Sequence, residues 1–249
     1  MTEFPQKIVV IGASSGIGRE VALHLAGRGC RVGIAARRED RLAELVEQYP
    51  QNFIAHAIDV NDEGAPAALE ALIEQLGGID LLMYAAGVGK QNLELDPEPE
   101  LATVNTNALG FTRIITAAFR YMAAHGGGHI AVITSIAGTK GLGVAPAYSA
   151  TKAFENVYLE ALEQQAVMRK LNIRITDLRP GFVATDLLND GHSYPMLMDR
   201  HDVARHIVAA IAQRRHVRVI DWRWRIVTAL WRLIPRSLWR HLPIRHPQQ

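Results

Sequence analysis

The sequence predicts an α/β protein: a doubly wound parallel sheet of about seven strands with helices on both faces, followed by an amphipathic helical tail. Three observations carry this. Short apolar runs alternate with longer segments of helical period from Lys7 to Asp221, a pattern met by right-handed crossovers that bury a parallel sheet between two helical layers. Glycines and residues that bear chemistry come directly after the apolar runs, where the carboxyl ends of parallel strands form a ligand crevice. The last stretch then changes character. Residues 214–249 hold nine arginines, one acid (Asp221) and all four tryptophans (Trp222, Trp224, Trp231, Trp239), a charge of +8, whereas the first 213 residues carry −6 of the overall +2. The expected organisation is one α/β domain over 1–221 and a basic, Trp-rich helical tail over 222–249.

Taken in order, KIVVIG from Lys7 reads as a buried strand and GIGREVALHLAGRG as a helix that stops at glycine. RVGIAAR and EDRLAELVEQY repeat the pair, as do NFIAHAIDV and EGAPAALEALIEQLGG. IDLLMYAAG is a fourth strand, and residues 99–128 form one long helix or two short ones that stop at His125-Gly-Gly-Gly128. HIAVITS precedes the long helix PAYSATKAFENVYLEALEQQAVMRKL. NIRITDLRPG, the helix DRHDVARHIVAAIAQRR and a short strand HVRVID complete the domain.

Composition bounds the function. With 249 residues, 49% apolar and 21% charged, the chain can bury a sizeable core. The single cysteine, Cys30, excludes an intrachain disulfide. The N-terminus lacks a signal-peptide pattern, and no run approaches ~18 apolar residues, so a cytoplasmic protein is expected. Ten scattered histidines lack ligand spacing, so no metal is expected. No recognition motif accompanies the basic tail, and no nucleic-acid partner is expected.

The strand ends carry the motifs. After strand one, IGASSGIG supplies Gly12, Gly16 and Gly18, which let backbone approach a pyrophosphate, with Ser14, Ser15 and Ile17 at the start of a helix whose amides favour anions. After strand two stand Arg37 and Arg38, where an acid would bind the ribose 2′-hydroxyl of NAD(H) and arginines instead suit the 2′-phosphate of NADP(H). Asp59 follows strand three, placed to accept from an adenine amino group, and the small residues Ala86 and Gly87 follow strand four. Tyr148 and Lys152 lie four apart on one helix face. An ammonium near a phenol favours the phenolate, which makes Tyr148 a candidate general acid or base. Ser135, at the end of strand five, is a second donor for a carbonyl oxygen. GASSG also matches a hydrolase nucleophile elbow, but that elbow follows a central strand and its oxyanion loop precedes it, whereas His125-Gly-Gly-Gly128 comes much later.

GASSGIG at 12–18, Asp59-Val60, AAG at 85–87, NALG at 107–110, Ser135, YSATK at 148–152 and PGFVATD at 180–186 together resemble the short-chain dehydrogenase/reductase family of the single-domain, NADP-preferring type. The resemblance spans residues 7–185 and implies a Rossmann fold and hydride transfer between NADP(H), or alternatively NAD(H), and a carbonyl or secondary alcohol. By it, Tyr148 is the general acid or base. Lys152 holds the nicotinamide ribose, Ser135 binds the substrate oxygen, and Asn107 kinks its helix and holds a relay water. Pro180, Gly181, Val183 and Thr185 contact the carboxamide and phosphates, and a homo-oligomer is implied. A non-catalytic dinucleotide-binding scaffold is the rival from another class. The chain departs from the family at Ile11, where threonine is common, and at Tyr84 and Ala85, where asparagines are common.

Between Thr185 and Asp202, the residues Leu187, Leu188, Tyr194, Met196, Leu197 and Met198 suggest an apolar lid, and with Leu142 and Val144 they favour an apolar substrate. In the tail Val227, Leu230, Ile234, Leu238 and Leu242 recur at helical spacing, Arg232, Arg236 and Arg240 form a stripe, and Pro235 begins a second short helix. Two readings stand. The tail packs on its own domain or across a dimer, or residues 222–242 lie on a membrane, at its inner face.

Overall fold

The structure, a computed structural model, describes residues 4–188, 191 and 193–244. Residues 245–249 of the tail lie outside them, as do three positions of the expected lid (189, 190 and 192). The described strands are β1 (Lys7–Ile11), β2 (Arg31–Ala36), β3 (Phe53–Ala57), β4 (Leu81–Tyr84), β5 (Gly128–Ile133), β6 (Ile173–Arg179) and β7 (Val217–Val219). They form one seven-stranded parallel sheet ordered β3-β2-β1-β4-β5-β6-β7. The chain winds outward from β1 to β3 and then returns to lay β4 beside β1. Strand order therefore reverses between β1 and β4, and a crevice opens at their carboxyl ends.

Both sheet faces are covered, which is why the central strands read as unbroken apolar runs. Successive β1 side chains alternate between two cores. Ile8 and Val10 join the cluster under α1 (Gly16–Ala26), α2 (Glu39–Gln48) and α7 (Arg200–Ala212), while Val9 and Ile11 join the one under α3 (Ala65–Leu76), α5 (Phe111–Ala124) and α6 (Pro146–Met168); α4 (Pro97–Val104) lies outside both clusters. The segment expected as one long helix or two short ones is α4 and α5 joined without a break by a π-helical turn, Asn105–Gly110.

The tail folds as α8 (Trp222–Leu233) and α9 (Arg236–Trp239), with Pro235 capping α9. It packs on the domain, but through a different stripe from the one its apolar spacing suggested. Trp224 and Thr228 are buried and Val227 and Trp231 half-buried, whereas Leu230 and Leu238 are exposed. Thr228 satisfies its hydroxyl on the carbonyl of Trp224 at 2.8 Å and so fits an apolar contact. The indole of Trp224 lies against Gly181, where any Cβ would come within 2.2 Å of its Nε1, and it meets the Phe182 ring edge to face at 5.4 Å.

Candidate active site

A cleft of about 550 Å³ runs along the carboxyl ends of the strands. At its floor the chain leaves β1 through Gly12, at φ +87°, where a Cβ would press into the Ala86 backbone at 2.6 Å. A side chain at Gly18 would meet the Gly12 carbonyl at 2.3 Å. These contacts keep the turn bare, and with Ser14, Ser15, Gly16 and Ile17 it lines the cleft at the N-terminus of α1.

The turn after β2 closes over it. The Arg38 guanidinium donates to Ser14 Oγ (Nη2, 3.1 Å) and Ser15 Oγ (Nη2, 2.7 Å), and Arg37 lines the same wall. Asp59, Val60, Ala86 and Gly87 line the middle of the cleft, and Pro180, Gly181, Val183 and Thr185 its far side. Asp59 Oδ1 accepts from the Asn61 amide at 3.0 Å. The sequence reading missed Asn61, whose side-chain oxygen is buried at the cleft with no partner. Its signal was only its place two residues beyond Asp59. A bare glycine turn at a helix N-terminus, guanidinium donors beside it and an unspent acceptor midway fit a dinucleotide.

At the other end Ser135, Tyr148 and Lys152 line one stretch of wall with Leu142, Val144 and Ala145. Ser135 Oγ accepts from the Ala137 amide at 3.1 Å, which leaves its own proton free to donate. The Tyr148 ring lies against Gly89, where a Cβ would come within 2.4 Å of it. Lys152 Nζ sits 5.9 Å from the centroid of that ring. Asn107 does not line the cleft. It is fully buried in the π-helical turn, where its side chain accepts from the Val88 amide at 2.9 Å and donates to the Val88 carbonyl at 2.7 Å and to Thr151 Oγ1 at 3.2 Å. It thus fixes the loop after β4 to α6, behind Tyr148.

Two features escaped the sequence reading. Glu155 is fully buried and accepts from Lys152 Nζ on both carboxylate oxygens, at 2.9 and 2.8 Å. Burial pushes its carboxyl up to about 7 against the pull of Lys152. Burial draws the Lys152 ammonium the other way, but Glu155 and then Tyr148 outweigh it and the net shift is upward. The tail also reaches the site. Trp231 lines the cleft, Trp239 Nε1 donates to the Gly141 carbonyl at 2.7 Å, and Lys140 Nζ donates to the Ile234 carbonyl at 2.9 Å. Of the expected lid, Leu187, Leu188 and Tyr194 line the cleft; Met198 instead pairs with Val183 in an isolated bridge.

A doubly wound sheet with this cleft at its switch point is the architecture of a dinucleotide-binding protein. Residues 6–193 match the family described as short chain dehydrogenase. An uncharacterized oxidoreductase of Mycobacterium tuberculosis is 35% identical over 243 residues, covering 93% of this chain and 95% of its own. One from Myxococcus xanthus is 32% identical over 237 residues, 92% of this chain and 93% of its own. The crystal structure of a short-chain type dehydrogenase/reductase from Mycobacterium marinum superposes with a TM-score of 0.79 at 25% identity, covering 88% and 95% of the two chains. The chain belongs to the short-chain dehydrogenase/reductase family, whose members bind NAD(P). A match over 93% of the chain reaches into α8 wherever it begins.

Proposed function

We propose that this enzyme transfers hydride between NADP(H) and an apolar carbonyl or secondary alcohol. The observation that carries this is the convergence on one cleft of Ser135, Tyr148 and Lys152 at one end and Arg37 and Arg38 at the other. The glycine turn, Ser14 and Ser15 would hold the pyrophosphate, Arg37 and Arg38 the 2′-phosphate, Asp59 and Asn61 the adenine, and Lys152 the nicotinamide ribose. When bound, the nicotinamide supplies or accepts the hydride at the substrate carbon. Tyr148 gives its phenolic proton to the substrate oxygen in reduction and takes it back in oxidation, while Ser135 donates to the same oxygen and orients it. Leu142, Val144, Leu188 and Trp231 line the pocket with apolar surface and exclude water.

The test is a carbonyl panel with NADPH and NADH. Wild type is expected to oxidise NADPH faster than NADH, Tyr148→Phe to lose roughly 100-fold or more of the rate, and Arg38→Asp to lose the NADPH preference. NADH preference in wild type would move the reading to NAD(H). Tight NADPH binding with no turnover of any carbonyl would move it to a scaffold.

We also propose that the outer face of α8 rests on an anionic membrane surface. No described helix is long and apolar enough to cross a membrane, so the contact is peripheral. Trp222, Ile226, Leu230 and Leu233 are 65%, 51%, 57% and 78% exposed, and their spacing puts them on one face. Exposed Arg225, Arg232, Arg236 and Arg240 supply the matching charge. The protein should sediment with phosphatidylserine vesicles, less so in high salt, and the pair Ile226→Asp with Leu230→Asp should abolish this. A wild-type dimer that the same pair converts to monomer, with no vesicle binding, would assign the face to a second copy.

A further inference from the structure

The Lys152–Glu155 pair changes what Lys152 can do to Tyr148. The ammonium lies within hydrogen-bond distance of both Glu155 carboxylate oxygens (2.9 and 2.8 Å) and of the Ile133 carbonyl (3.2 Å). Neither side chain reaches bulk water, with Lys152 4% and Glu155 0% exposed. A lone ammonium beside a phenol acts as a full charge. An ammonium held on a carboxylate acts as a dipole, and its field falls away faster with distance.

We propose that Glu155 is the positioning residue for Lys152: it fixes the ammonium at the base of the cleft and sets how much positive charge reaches the Tyr148 phenol. The assignment rests on the catalytic reading of Tyr148 and Lys152 given above. The groups that face Glu155 agree with a single controlling pair. From α6 it is Lys152, which in turn lies 5.9 Å from the Tyr148 ring centroid. From β4 comes Tyr84, fully buried, whose hydroxyl has no partner and whose ionisation is held far above the ordinary phenol range by burial and then by the Glu155 charge. From β6 comes Asp177, whose charge is taken up by Arg179 Nε at 2.8 Å and whose other oxygen accepts from Thr134. Lys152 is thus the cation in direct contact with Glu155 among the described residues. With its carboxyl raised to about 7, Glu155 loses its charge within the physiological range, and the ammonium is then left uncompensated.

The experiment is an ultraviolet titration of tyrosinate on the cofactor-free protein, with Tyr148→Phe subtracted, in wild type, Glu155→Gln and Glu155→Asp. Glutamine keeps an acceptor for Lys152 and removes the charge, so the Tyr148 signal should move to lower pH by about 1 unit or more. Aspartate keeps the charge on a shorter arm, so its titration should stay near wild type. Because the arm moves the ammonium, Glu155→Asp should weaken NADPH binding, read as the dissociation constant by fluorescence. A titration unmoved in Glu155→Gln, or moved equally in both variants, overturns the proposal. If Glu155→Gln does not fold, a Glu155→Asp titration shifted as far as an uncompensated ammonium requires overturns it as well, and one held at the wild-type position with weaker NADPH binding supports it. Failure of wild type to turn over any carbonyl would count against the catalytic reading alone, since the titration needs no turnover.

Discussion

Tyr84 shows how a single residue resists interpretation from sequence. In sequence Tyr84 registers as a departure from the asparagine common at that place, whereas in the structure it is completely enclosed, edge-on to Phe111 at 5.5 Å, with its hydroxyl unpaired. A buried hydroxyl without a partner costs about 1–3 kcal/mol relative to a paired one. Tyr84→Phe keeps the ring and discards the cost, so the variant should be more stable by about 1 kcal/mol in urea unfolding. A loss of stability would mean that the hydroxyl has a partner in solution. Glu155 was illegible for a related reason: three residues after a lysine on a long polar helix, it looks like an exposed ion pair. Only the packing of α6 on the sheet makes it a buried one. Gly12 was legible because backbone clearance demands a bare residue at the end of β1, and the proposed roles of Ser135, Tyr148 and Lys152 rest on their spacing from the strand ends, which brings all three to the cleft wall.

At the scale of elements, β5 and α6 carry two buried titrating groups that pull in opposite directions. His129 on β5 bonds Thr176 Oγ1 at 2.8 Å, and burial, reinforced by Arg214 and Arg174, lowers its imidazole to about 4. Its contribution to stability is present above its ordinary value near 6.5 and is lost as pH falls toward 4. Glu155, raised from 4.5 to about 7, does the reverse: its contribution is present below 4.5 and is lost as pH rises through 7. Over the shared window the two largely cancel. Glu155→Gln removes one side, so the variant should lose about 2 kcal/mol more than wild type when urea unfolding is compared between pH 6.5 and pH 4. Parallel loss in both proteins would show that the carboxyl titrates as an ordinary one. The strands, their order of appearance and α1 to α3 were readable from apolar period and glycine stops. The π-helical turn was not readable from apolar period, and only the resemblance, by which Asn107 kinks its helix, pointed to an irregularity at 105–110.

For the whole molecule, the seven-stranded sheet followed from strict alternation of runs, while the placement of the tail did not. Its composition announced an amphipathic helix, but which stripe turns inward depends on Gly181 leaving room for the Trp224 indole, a contact between residues far apart in sequence. A dinucleotide in the cleft would touch four strand ends at once. NADPH at a hundred times its dissociation constant should therefore stabilise the whole fold by about 2.7 kcal/mol, read as an upward shift in melting temperature larger than the shift with NADH at the same concentration. Equal shifts would remove the role of Arg37 and Arg38 in choosing between the two. The contacts of Gly141 with Trp239 and of Lys140 with Ile234 join positions 98 and 94 residues apart. A nascent chain halted before Trp222 would own its glycine turn and its Tyr–Lys pair, yet its pocket would lack a wall. Closure of the cleft therefore waits until α8 and α9 have been synthesised, and a product terminated before Trp222 is left with an open one.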